Sequence, residues 1–362
     1  MCEVSQADLP PYDALVLVSF GGPEGPQDVL PFLENVVRGR GVPRERLLAV
    51  AEHYHHLGGE SPINAQNRAL LAALRGELDL PVYWGNRNWT PYLTDAVAQM
   101  TVDGVRRALA FVTSAYTSYS GCRQYLEDIA RAREAAGPHA PVIDKIRHYY
   151  NHPGFVGPNA EAVLAALGAL PEPARDAARL VFTAHSIPVS MEQHSGPDAL
   201  AGSGPHRLGW YAAQVGEAAR LVTAAVNAAR GAGATPLAHD VAWQSRSGPP
   251  QVPWLGPDVN EHLERLAGQG VAGVVVSPVG FVSDHVEVIW DLDREARETA
   301  EALRLPYARA TTVGVAPQFV AMIRELVEER RAGAPRLALG PDGPSHDVCP
   351  AGCCPAPARR PA

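Results

Sequence analysis

Short apolar runs of strand character alternate with helical patterns along most of this chain, and that alternation restricts the fold more than any other feature. Ala14 to Ser19, Pro81 to Trp84 and Ala108 to Thr113 read as buried strands. Helical patterns near Gln27 to Val37, Asn64 to Glu77 and Thr90 to Met100 lie around them. The second half repeats the scheme, with strands at Leu180 to Ala184, Val241 to Trp243 and Val271 to Val276, and helices near His206 to Arg230 and Asn260 to Ala267. Such alternation predicts an α/β fold of parallel sheets with helices on both faces. At 362 residues the chain exceeds one ordinary core, so two domains are expected. No Gly-x-Gly-x-x-Gly follows the first strand, which argues against a dinucleotide site.

Two segments carry the chemistry. Ser277 to Glu295 reads as a buried strand broken at Pro278 and Gly280, then a helix started by Ser283 or Asp284. On that helix Glu287, Asp291 and Glu295 recur every four residues, so three carboxylates share one face. Like charges at that spacing cost a few tenths of a kcal/mol per pair. Either a cation or a proton path accounts for them, or they form a solvated face opposite Val288, Ile289 and Leu292. The second segment, Leu180 to Pro188, is an apolar strand ending in His185. Ligands bind at the carboxyl ends of strands in open α/β sheets, which puts His185 at a cleft.

These segments, together with Phe20-Gly-Gly-Pro23, Gly58-Gly-Glu-Ser-Pro-Ile63, Trp243-Gln-Ser245 and Pro253-Trp-Leu-Gly-Pro257, resemble the ferrochelatase family from about Leu15 to about Val327. The resemblance implies two similar doubly wound Rossmann-like (chelatase-type) domains, 11–160 and 161–315, with the active cleft between them. A C-terminal helix, 316–331, would pack back on the first domain, followed by a tail, 332–362. It also implies insertion of ferrous iron into a porphyrin, with loss of two pyrrole protons. His185 and Glu287 would be the catalytic pair, and His185, Glu287, Asp291 and Glu295 the metal contacts. Whether His185 acts as base or as first metal ligand stays open. Asp284 and His285 would orient Glu287 or serve as a cap and its neighbour.

Phe20, Arg38, Ser61, Arg87, Tyr125 and Trp254 match substrate-binding positions of the family. Phe20 stands where relatives carry tyrosine or methionine; a phenyl ring stacks on a macrocycle but cannot ligate iron. Asn88 stands where they carry histidine or tyrosine. His53, His55 and His56 are read as a polar rim. The Ala-, Gly-, Pro- and Arg-rich composition and cysteine-rich tail look actinobacterial, which favours coproporphyrin III over protoporphyrin IX. A cobalt chelatase and a non-catalytic tetrapyrrole or iron-sulfur protein are the alternatives from other classes.

Beyond Arg331, seven prolines interrupt the chain and the apolar period stops. The tail nevertheless holds Cys349, Cys353 and Cys354, three of five cysteines. In a cytosolic chain such a group points to metal rather than to disulfides. Cys122 is the candidate fourth ligand. Some ferrochelatases hold a [2Fe–2S] cluster on one internal and three C-terminal cysteines, and this set resembles theirs. Four thiolates equally suit zinc, and His346 replacing one of them would point that way. Cys2 is read as a bystander, and Ser195 to Pro205 as an exposed loop.

The formal charge of −8 argues against nucleic acid. No apolar run spans a bilayer, and Met1 to Pro10 lacks a signal-peptide pattern. The expectation is a cytoplasmic monomer with at most peripheral membrane contact. Its partners would be porphyrin, ferrous iron and, transiently, neighbouring haem-pathway enzymes.

Overall fold

The computed structural model describes residues 10–39, 41–197, 209–248 and 251–356. Two four-stranded parallel sheets form the framework. The first contains β1 (Ala14–Ser19), β2 (Val82–Asn86), β3 (Arg107–Val112) and β4 (Val142–Lys145), in the order β2-β1-β3-β4. The second contains β5 (Arg179–His185), β6 (His239–Gln244), β7 (Val274–Ser277) and β8 (Tyr307–Arg309), in the equivalent order β6-β5-β7-β8. All six residues of β1 are buried, as a strand covered on both faces requires. The strand order reverses beside β1 and beside β5, and crevices for ligands open at such points. Ser19 and His185 are the last residues of those two strands.

One apolar core runs through both halves, from Leu15 and Phe111 to Phe182, Val275 and Phe319. Tyr116, buried in the first half, donates its hydroxyl proton to the Val279 carbonyl of the second at 2.8 Å. The helix Pro317–Ala332 lies on helices Ile63–Glu77 and Pro153–Ala169. A fully buried ion pair, Arg147–Glu329 at 2.7 Å, ties it to the loop after β4.

Several boundaries differ from the sequence reading, each for a local reason. β7 starts at Val274 rather than Val271, because the Val271 N–H closes the preceding helix on the Leu266 carbonyl. The helix after β7 starts at Val286, with His285 at its cap position, not at Ser283 or Asp284. Asp284 cannot cap: its carboxylate is held by Arg309 at 3.1 and 3.3 Å, and its N–H donates to Gln66. The expected loop from Ser195 begins buried, since Ser195 Oγ accepts from the N–H groups of Trp210 and Tyr211 at the start of helix Trp210–Arg230. Its remainder to Pro205 lies largely outside the described residues, as do Cys2 and Arg40. The tail to Ala356 has no helix or strand, yet it is bound to the body: Asn151 exchanges hydrogen bonds with Leu339, and Arg147 donates to the Leu337 carbonyl.

Candidate functional site

His185 ends β5 opposite Gln244 of β6, and its main chain is held from three directions. The Tyr211 hydroxyl donates to its carbonyl at 2.9 Å, Ser186 N–H donates to the Gln244 carbonyl, and Ser186 Oγ donates to Leu255. Gly280 packs so tightly behind the strand that an added Cβ would sit 2.5 Å from the Ala184 Cβ. The imidazole is anchored through Nδ1, which donates to the Ser186 carbonyl at 2.5 Å. Its neutral form therefore presents the Nε2 lone pair to the cleft.

Nε2 faces Glu287 Oε2 at 3.6 Å, with both side chains about a third exposed (34% and 41%). Burial alone would lower the histidine pKa. The hydrogen bond and charge of Glu287, the Ser186 carbonyl and the Asp291 charge together raise it. Glu287 moves the other way: burial would raise it, but His185, His285 and His53 hold it below the usual range. The result is a basic imidazole beside a persistent carboxylate.

Glu287 sits on the short helical turn Val286–Val288, and the other two carboxylates, Asp291 and Glu295, follow on a π-helical stretch, Ile289–Glu295. Its i→i+5 bonding widens the turn and keeps residues four apart nearly in line, and such bulges recur at functional sites. Asp291 accepts from Ser245 Oγ at 2.5 Å and Gln244 Nε2 at 3.2 Å. Burial pushes its carboxyl up to about 7; Ser245 opposes this, and the charges of Glu287 and Glu295 add to it. Glu295 accepts from the Trp290 indole at 2.7 Å. His53 stacks on Trp290 with ring centroids 4.0 Å apart, and His56 meets it edge-on, so two of the three rim histidines dock on this stretch. Arg309 clamps Asp284 and Asp293 together at the base.

The matched substrate positions divide. Phe20, 37% exposed, is held edge-on to Phe32 and offers a free ring face at the carboxyl end of β1. Ser61 is buried against Gly22, where a Cβ would fall 2.7 Å from the serine Cβ, so the Gly-Gly-Pro and Gly-Gly-Glu-Ser-Pro motifs meet. Trp254 forms a bridge with Pro188, and its buried indole N–H has no partner. Arg38 is exposed. Arg87 and Tyr125 are not free cleft groups. Arg87 is ion-paired with Asp128 at 2.5 Å, both side chains being buried, and its guanidinium lies 3.6 Å over the ring of Tyr125, itself only 4% exposed. Arg87 Nη2, Asn88 Nδ2 and Trp89 Nε1 are buried donors without partners.

A second cluster lies where the tail returns. Cys122, on the π-helical turn Tyr119–Arg123, approaches Cys349 with Sγ atoms 3.7 Å apart, and Cys353 approaches Cys354 at 3.5 Å. His346, Cys349 and Cys353 offer ligand atoms all within 4.8 Å of one another, so this group could hold a metal. Arg123 donates to the Cys353 and Pro350 carbonyls, and Gly196 N–H donates to Cys354 Sγ. Hydrogen bonds from Cys122 and Cys353 bring Cys349 down to about 3, and one from Cys353 lowers Cys354. The donors Cys122 and Cys353 are pushed up. A soft metal binding here would take the place of the thiol protons and leave thiolate ligands. Tetrahedral thiolates on a centre with bonds of about 2.3 Å lie about 3.8 Å apart, so each of the two thiol pairs, Cys122–Cys349 and Cys353–Cys354, fits one such metal.

A histidine–carboxylate cleft at the carboxyl ends of a doubled parallel α/β fold is the construction of a chelatase. SirB from Bacillus subtilis with Fe3+ superimposes with a TM-score of 0.53 at 12% identity, over 89% of this chain and 96% of that one. The sirohydrochlorin chelatase SirB from Bacillus subtilis subspecies spizizenii in complex with cobalt gives 0.50, also at 12%, over 88% and 95%. Both likenesses concern the fold. Residues 12–331 match the Ferrochelatase family profile. A coproporphyrin III ferrochelatase of Streptomyces griseus is 55% identical over 98% of this chain and 96% of its own length. One from Nocardia farcinica is 55% identical over 97% and 98%. The chain belongs to the ferrochelatase family.

Ser245, Tyr211 and Arg309 were not assigned roles from the sequence. Ser245 lies in the Trp-Gln-Ser motif, but its task depends on a backbone φ of 60°, which no pattern reports.

Proposed function

We propose that this protein inserts ferrous iron into coproporphyrin III, releasing two protons and forming the iron porphyrin. The observation that carries this is the His185–Glu287 pair, with a basic Nε2 lone pair 3.6 Å from a carboxylate at the end of β5. Insertion removes two pyrrole protons and forms metal–nitrogen bonds without oxidation or reduction. A basic imidazole is suited to take a pyrrole proton, and Glu287 stabilises the imidazolium that results. Asp291 and Glu295 supply oxygen ligands along the route of hydrated iron, or acceptors for departing protons. Coproporphyrin rather than protoporphyrin is favoured by the extent of similarity to relatives of that name. Phe20, Trp254, Ser61 and Arg38, with the orphan donors of Asn88 and Trp89, form the proposed surface for the macrocycle and its carboxylates.

We read 11–160 and 161–315 as two chelatase domains, each with one sheet of the same strand order, followed by the helix 316–331 and the tail 332–362. The cysteine group is proposed to hold a [2Fe–2S] cluster on Cys122, Cys349, Cys353 and Cys354, supported by their thiol spacings. The cluster supplies a one-electron centre that the insertion reaction does not use. Among the described residues no helix is long and apolar enough to cross a membrane. The test is anaerobic turnover with ferrous iron and each porphyrin in turn. A higher kcat/KM for coproporphyrin III is expected; equal or reversed values would return the assignment to protoporphyrin IX.

A further inference from the structure

The tail that carries three of the cysteines also places a histidine among them. A ring nitrogen of His346 lies within 4.8 Å of both Cys349 Sγ and Cys353 Sγ, which lie within the same span of each other. Its Nε2 is buried and has no hydrogen-bond partner, a state that a native interior rarely leaves unanswered. One residue fixes the backbone on either side of it: Arg336 donates to the Ser345 carbonyl and pairs with Asp347 at 3.3 Å. The four sulfurs fall into two pairs, Cys122–Cys349 at 3.7 Å and Cys353–Cys354 at 3.5 Å. His346 therefore reaches one member of each pair. Among the described residues no other three donors close within that span, so Cys122 and Cys354 are the outer members. Two neighbours could compete for the same task. Arg123, which grips the Cys353 and Pro350 carbonyls, has only N–H donors and no lone pair to give a metal. His148 is buried with both ring nitrogens unpaired, but it closes no such group with two sulfurs.

We infer that His346 is a fifth donor to the cysteine centre, a reserve ligand that completes either iron when its outer thiolate, Cys122 or Cys354, is missing. This rests on the reading of the four cysteines as [2Fe–2S] ligands, and adds to it a residue outside that set. With all four thiolates present, the anionic sulfurs hold the irons and the imidazole stands by. With an outer thiolate gone, the neutral ring binds through its lone pair. One iron–nitrogen bond forms, no proton or electron moves, and the centre carries one negative charge fewer. Nitrogen and sulfur on one tetrahedral metal, with bonds of about 2.0 and 2.3 Å, lie about 3.5 Å apart. The ring thus has to close by at most about 1.3 Å, and the tail has no helix or strand to resist that movement.

The test uses full-length protein purified anaerobically: the parent, Cys122→Ala and Cys354→Gly, glycine being chosen because Cys354 has a φ of 53°. Each outer variant is also made with His346→Ala and, separately, with His148→Ala. Iron and acid-labile sulfide are measured first, then the midpoint potential, then nitrogen couplings of the reduced cluster by pulsed electron paramagnetic resonance. Both outer variants should keep iron and sulfide and show a histidine-nitrogen coupling that the parent lacks. Histidine in place of thiolate raises the potential of such clusters. The reduced-to-oxidised ratio at fixed potential should therefore rise at least tenfold, about 59 mV for one electron. Adding His346→Ala should cut the retained cluster by roughly tenfold or more, and adding His148→Ala should not. His346→Ala alone should leave the parent's cluster and potential unchanged. Cluster loss from either outer variant, in protein with the parent's circular dichroism spectrum, overturns the inference. So does retention that survives His346→Ala or that depends on His148, and so does cluster loss from His346→Ala alone. Parent protein without acid-labile sulfide would refute the cluster reading itself, and the inference with it, before any variant is compared.

Discussion

Replacing Ser245 by alanine should move the pH dependence of iron use by this protein to higher pH. Ser245 Oγ donates to Asp291 at 2.5 Å, and Asp291 stands at about 7 chiefly because it is buried. The serine opposes that shift. A hydrogen bond to a charged group contributes roughly 1.5–3 kcal/mol, and each pKa unit corresponds to about 1.4 kcal/mol. Removing it should therefore carry the Asp291 half-point up by about one to two units. At pH 7 the ionised fraction would fall from about one half to about one tenth or less. If Asp291 handles incoming ferrous iron, its KM for iron at pH 7 should rise at least about fivefold. The difference should shrink towards pH 8.5, while kcat at saturating iron stays within about twofold. The assay is the initial rate of metalloporphyrin formation against ferrous iron, anaerobically, from pH 6.5 to 8.5. Because Ser245 has a positive φ, Ser245→Gly serves as a second variant free of backbone strain and should behave alike. Iron profiles of both variants that superimpose on the parent's would refute the reasoning.

Three further outcomes follow from the same geometry. Asp291→Asn should stabilise the fold increasingly as pH rises from 4 to 8. A carboxyl raised from 3.8 to about 7 binds more protons folded than unfolded across that window, so the parent loses stability there. The ceiling is about 4 kcal/mol and the expected gain about 1–3 kcal/mol, read from denaturation midpoints; a gain already present at pH 4 would contradict it. Arg87→Ala should lower stability by about 1–3 kcal/mol, because Asp128 loses its buried partner and keeps only the exposed Arg131, as urea denaturation would report; a fully stable variant with impaired porphyrin binding would instead make Arg87 a substrate contact. Arg38→Ala, on an exposed side chain, should leave stability unchanged and reduce kcat/KM more for coproporphyrin III than for protoporphyrin IX, and equal losses would remove it from recognition of the additional carboxylates.

The elements that were legible in the sequence are those whose signal is local. β1 and β5 are continuous apolar runs buried along their length, and His185 stood out because a polar ring ends such a run. β4 and β8 were not legible: four residues ending in Asp144 and Lys145, and three residues ending in Arg309, lack an apolar pattern. Their polar residues turn out to matter, since Arg309 clamps the loop and the π-helical stretch while Asp144 pairs with Arg107 of β3. The four-residue spacing of Glu287, Asp291 and Glu295 was visible. That its last two members ride on π-helical geometry, with Ser245 reaching across from the end of β6, is a matter of register and backbone angle rather than of composition. Arg87 was matched by position to a substrate contact, but position could not reveal that Asp128, forty-one residues on, already holds it.

The central claim is that iron insertion depends on proton removal by Nε2 of His185 beside Glu287. Its most direct test is His185→Ala, with coproporphyrin III binding followed by fluorescence quenching and iron insertion followed by absorbance, in the same anaerobic solution. The account predicts a Kd for the porphyrin within about threefold of the parent's, since stacking and carboxylate contacts dominate binding, together with a turnover loss of at least about a thousandfold. Insertion at close to the parent rate, with porphyrin bound normally, would remove His185 from the mechanism.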